Sequence, residues 1–155
     1  MPICRYGVHM QLSRDALSIA AQGDIDGMLA AALRLAQTRL TDSSEFDPFA
    51  LVTDLDGRLL SAEVDLAGLG KHPESAQIAD AITAQLRTVA SSARASAIVV
   101  NTRLSERKTD AVEVRLEHRE GAALLVLLPY KRARFGGVVD FGDLMPFPAT
   151  REIFA

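Results

Sequence analysis

The stretch ASAIVVNTRLSERKTDAVEVRLEHREGAALLVLLPY (Ala95–Tyr130) decides the fold. Within it, Val112, Val114 and Leu116 alternate with Glu113, Arg115 and Glu117, the period of two that sends successive strand side chains to opposite faces. Ala95–Leu104 before it is a second β-prone run, separated by the charged connector SERKTD. After the turn REG, Ala122–Tyr130 is apolar without a break, which predicts a central strand covered on both faces. Together these residues predict a three-stranded meander.

Upstream, Ile25, Met28, Leu29, Ala32, Leu33, Ala36 and Leu40 fall on one face of a helix. Asp24 is placed to cap that helix, and SRDALSIAAQ (residues 13–22) reads as a separate short helix capped by Ser13. FALVTDLDGRLLSAEVD (Phe49–Asp65) carries two β-prone runs around Asp56-Gly57, a dipeptide suited to the positive φ angles of a tight hairpin. A further helix opens with Pro73 at its first position and Glu74 near its positive end, and presents Ile78, Ile82, Leu86 and Val89 as its buried face.

The 155 residues suit one domain, with 48% hydrophobic and 24% charged content, and a net charge of -3 argues against a dedicated nucleic-acid binder. Cys4 stands alone, so no internal disulfide is available, and no Cys/His spacing supplies a structural zinc site. We expect no metal and no cofactor. With no secretory leader and no membrane-length apolar run, the expected location is a reducing cytoplasm. Residues 1–12 are expected to be a disordered leader, 13–130 one globular domain and 131–155 a C-terminal arm. Met10 also leaves residues 1–9 open to being an upstream start-site extension.

The stretches MLAAALRLAQTRL, FALVTDLDGRLLSA, AQIADAITAQLRTVA and GAALLVLL follow one another in an order that resembles roadblock/LC7 domains. That resemblance implies a profilin-like arrangement, an antiparallel sheet of about five strands with packed helices, and covers about two thirds of the chain. The expected class is therefore α+β, in the order α-β-β-α-β-β-β plus the arm.

TDLDGRLL is similar to the first motif of haloacid-dehalogenase-type phosphatases. That resemblance implies Asp54 as nucleophile and Asp56 as acid/base, with magnesium neutralising charge. Against it, Arg58 stands where threonine is usual, and Asp-Gly between two β runs is a hairpin signal in its own right. Lys131, Arg132 and Arg134 could hold an anion or an acidic partner, or end a hydrophobic strand in solvent. Residues 94–134 carry nine Lys/Arg against five Asp/Glu. His118 continues the inward register of Val114 and Leu116 and reads as a strand-end histidine with a solvated edge.

Phe135, Phe141, Phe147 and Phe154 lie six or seven residues apart among glycines and prolines. No regular period explains them, so the arm must be docked, on its own subunit or on a second one. The reading is a non-enzymatic interaction or regulatory module, acting as a homodimer with a protein partner. The alternative is a small phosphate-ester enzyme or ligand-binding domain using Asp54, Asp56 and the Lys131–Arg134 patch.

Overall fold

The computed structural model describes residues 17–133 and 137–154. The expected leader, Ser13, Arg134 and Phe135 lie outside the described residues. The architecture is α+β: α1 (Ile19–Asp42), β1 (Phe49–Asp54), β2 (Leu59–Ser61), α2 (Ser75–Thr88), β3 (Ala93–Leu104), β4 (Thr109–His118), β5 (Ala123–Arg132), β6 (Val139–Phe141) and β7 (Met145–Pro148). The sheet is antiparallel and seven-stranded, in the order β2-β1-β3-β4-β5-β6, with β7 also on β5.

The expected helix break at Gly23-Asp24 is corrected among the described residues. One helix runs through Gly23 and Asp24, and its N-cap is Ser18, whose side-chain oxygen accepts from the Ala21 N–H at 3.1 Å. A glycine inside a helix costs about 1 kcal/mol relative to alanine. Continuity offsets that by adding buried Ala21 to the face that carries Ile25, Met28, Ala32, Ala36 and Leu40. The alanines on this face let the helix lie close over the sheet. Beneath it, rows of partners run across the meander: Val99, Val114 and Val126, then Ala97, Leu116 and Leu124.

The β1–β2 hairpin is present, but its turn does not take positive φ angles at both Asp56 and Gly57 as expected. Asp54 accepts from Gly57 N–H at 3.0 Å and donates to Arg58 C=O at 2.9 Å, and only Gly57, at φ 86°, is left-handed. This is a three-residue loop ending on glycine, which needs one positive φ rather than two. α2 also starts later than expected. Glu74 is its N-cap, in a reciprocal capping box with Gln77, and Pro73 precedes the cap. Ile78, Ile82 and Leu86 are buried as expected, whereas Val89 ends the helix at 47% exposure.

β5 is not covered equally on both faces. Leu124, Val126 and Leu128 are buried under α1, while Leu125 and Leu127 on the other face are half-buried. The strand also runs on to Arg132, past the expected arm boundary at residue 131. The arm then returns as β6 against Tyr130–Arg132 and β7 against Leu124–Leu127. Pro129 explains the gap between them. Its carbonyl accepts from Gly142 N–H at 2.8 Å, but it has no N–H to return, so the ladder breaks there.

Candidate functional site

Asp54 and Asp56 sit at the tip of the β1–β2 hairpin. Asp54 Oδ1 accepts from the backbone N–H groups of Asp56 and Arg58, both at 2.9 Å, and Oδ2 accepts from Arg58 Nε at 2.9 Å. Asp56 Oδ2 lies 3.3 Å from the same guanidinium. The Arg58 backbone N–H, working against partial desolvation and reinforced by its side chain, holds the Asp54 carboxyl below the usual range. The two carboxylates therefore converge on Arg58 and on the turn that they close.

The cationic patch does not gather on one surface. Lys131 and Arg132 are consecutive strand residues and point to opposite faces. Arg132 reaches the C-terminus of α1, donating to Leu40 C=O at 2.6 Å, Ser43 C=O at 2.9 Å and Gly137 C=O at 3.2 Å. It satisfies carbonyls that the helix leaves over, at the end where the dipole favours a cation. Lys131 is exposed beside a shallow cleft of about 480 Å³ shared with Arg107, Asp140 and Phe141. Arg134 lies outside the described residues. In the sheet order, β3 and β4 separate β1 from β5, so the structure does not bring Asp54 and Asp56 together with Lys131.

Three of the four arm phenylalanines are described. Phe141 is half-buried with its ring 6.0 Å from that of Tyr130, Phe147 is half-buried opposite Leu125, and Phe154 packs at the margin of the α2 cluster. The deepest anchor of the arm is a residue the spacing did not flag, Ile153, buried with Ile78, Ile82, Leu86 and Ile98. Glu117 corrects a further expectation. It does point away from α1, yet it is only 6% exposed, because the chain end lies across it. Its carboxylate accepts from three consecutive backbone N–H groups, those of Glu152, Ile153 and Phe154, at 2.9 to 3.1 Å. Arg87 Nε adds a bond to Glu152 C=O at 2.6 Å.

His118 is not solvated at its edge. The ring is 3% exposed, with Nε2 2.9 Å from Asp24 Oδ2 and Nδ1 accepting from Glu120 N–H at 3.1 Å. An accepting Nδ1 places the ring proton on Nε2, directed at Asp24. Asp24 also takes two bonds from Arg94, at 2.5 and 3.1 Å. Burial opposes its ionisation, but the hydrogen bonds from Arg94 and His118 outweigh that and hold the carboxyl below its ordinary value. Glu120 in turn binds the Ser18 hydroxyl at 2.6 Å and its N–H at 3.1 Å. The network fastens the first turns of α1 to the ends of β3 and β4. The one sequence signal for it was the inward register of His118; no spacing rule connects residues 94 positions apart.

Among the described residues, what remains open is one half of the sheet's second face. α2 packs on β1 and β3, and the buried cluster beneath it contains Ala50, Ile98 and Val100 but no β4 or β5 residue. On β4 and β5 the same face carries the Glu113–Arg115 pair at 2.7 Å, then Leu125 and Leu127, in register with Phe147 and Met145 of β7. Of these, Leu125, Leu127 and Met145 are half-buried and form a stripe along the part of the sheet that, among the described residues, no helix covers. A cleft of about 350 Å³ runs from Leu125 past Arg115 and Glu117 to Ile153.

Among the described residues, no group of three or more His, Cys, Asp or Glu side chains is placed to hold a metal ion, and no helix is long and apolar enough to cross a membrane. Cys4 and His9 lie outside the described residues, and His72 is exposed in a loop. No protein-family model, curated protein or solved structure matches this chain.

Proposed function

We propose that this chain is a non-enzymatic protein-interaction module that acts as a homodimer in a reducing cytoplasm, and that the bare half of the sheet's second face receives a protein partner. The observation that carries this reading is the stripe Leu125, Leu127 and Met145, outside the footprint of α2 and bordered by the Glu113–Arg115 pair. An apolar centre with a polar border is the composition of interaction surfaces. The binding of Arg58 by Asp54 and Asp56 supports turn chemistry at the hairpin in place of phosphate-ester chemistry.

The test replaces Leu127 by Lys in the full chain and compares it with the wild type in capture from host extract, with thermal melting as the folding control. The partner should be lost at an unchanged fold. The double change Asp54→Asn, Asp56→Asn should leave capture intact. Magnesium-dependent hydrolysis of a phosphate ester by the wild type, abolished by that double change, would instead establish the enzyme.

A further inference from the structure

The two edges of the sheet are built differently. At the far edge the arm covers β5, and the outward row of its β7 segment is blunted. Ala149 N–H bonds Ala123 C=O at 3.1 Å, so the alternation of antiparallel pairs turns the odd residues of β7 toward β5 and the even ones outward. Those outward positions are Pro146 and Pro148, which have no N–H to offer an incoming strand. At the near edge the hydrogen-bonded pairs of the hairpin are Asp54 with Arg58 and Ala50 with Ala62, so Leu59 and Ser61 turn their N–H and C=O groups away from β1. Among the described residues, no strand lies beyond β2 in the sheet order. This open edge also carries apolar side chains: Leu55, Leu59 and Leu60 are 52%, 42% and 46% exposed. Proteins ordinarily protect an edge with prolines or charges. Here β7 has the prolines and β2 the leucines.

We infer that the β2 edge is the dimer seam, and that its occupant is the β2 edge of a second copy of this chain, paired antiparallel about a two-fold axis at Leu60. The inference rests on the homodimer reading above. In that register Leu59 and Ser61 exchange backbone hydrogen bonds with Ser61 and Leu59 of the second copy, and Leu60 meets its own counterpart in a non-hydrogen-bonded pair, where side chains approach closest. No like charges face each other: Arg58 falls opposite Ala62, and Gly57 opposite Glu63. The self-match is what selects a second copy, because a two-fold pairing uses one surface twice. The two sheets become one continuous sheet, and the stripe on each second face stays free for the protein partner.

The experiment is light scattering and native mass spectrometry of the full chain over a dilution series. The wild type should be a dimer that dissociates on dilution, because the seam is short. Leu60→Lys sets two ammonium groups against each other across the axis and should give a monomer, as should Leu60→Asp with two carboxylates. Mixed one to one, the two variants should recover a heterodimer. Ser61→Pro removes only an outward N–H and should also give a monomer, with thermal melting checking that each variant is folded. A wild type that is monomeric at every concentration overturns both the seam and the homodimer reading. A wild-type dimer unaffected by all three changes overturns the seam alone and leaves a homodimer joined elsewhere.

Discussion

Leu116 and Arg115 are neighbours on β4 and belong to different proteins in all but sequence. Leu116 faces α1 in a row with Ala97 and Leu124, sealed beneath a helix of 24 residues whose buried face is half alanine. Arg115 faces the other side, where α2, only 14 residues long, reaches β1 and β3 and stops. The strands alternate on both sides of the sheet, so pattern alone treats the faces alike. What separates them is the length and position of the covering helix. The face under α1 supplies most of the core; the other, among the described residues, is closed at one end by α2, clamped in the middle by the chain terminus on Glu117, and not covered by a helix at the far end.

Substitution measures that difference directly. Leu116→Ala should cost about 2 to 5 kcal/mol, as for other fully buried large-to-small changes, whereas Leu125→Ala on the bare half should cost about 1 kcal/mol or less. Urea denaturation of both gives the comparison. Equal losses would show the second face to be as closed as the first.

The clasp between α1 and the sheet sharpens the contrast from the polar side. Asp24→Ala strands Arg94 and the buried His118 ring together and should cost about 3 kcal/mol, the lower range for breaking a buried pair. The sign of its pH dependence follows from the lowered ionisation of Asp24 in the folded state. Its stabilisation is fully present above the carboxylate's unfolded pKa and is lost as pH falls through the folded one. Denaturation midpoints collected into the acid range should therefore decline less steeply in Asp24→Asn than in the wild type. An acid limb of unchanged slope would assign the loss to other carboxylates.

The terminus should lose less than either the α1 face or the clasp. Ile153→Ala should cost about 2 kcal/mol, the low end for truncating a buried aliphatic side chain, since it removes the arm's one buried member of the α2 cluster among the described residues. The more telling measurement is hydrogen exchange at Glu152, Ile153 and Phe154, whose amides the Glu117 carboxylate now protects. They should exchange faster in the variant while the α1 face keeps its protection. Simultaneous loss at both sites would show that the clamp and the main core open as one unit.

The meander, the hairpin, the two main helices and the α+β class were legible because each is written in local periodicity: the alternation of Val112 to Leu116, the one-sided stripe from Ile25 to Leu40, the Asp-Gly turn. The docking of the arm was legible as a need, from rings that had to be buried, although its two strands were hidden by the glycines and prolines that interrupt them. Other features depended on partners that sequence distance conceals. His118 found Asp24, Glu117 found the last backbone amides of the chain, and Arg132 found the end of α1. Each is a polar group taken out of water, which must be satisfied by whatever the fold brings within about 3 Å. Local sequence determines which side chains need a partner and which face they leave by. Only the tertiary structure decides which distant group meets that need, because the meeting is fixed by strand order and by how far a helix extends over the sheet.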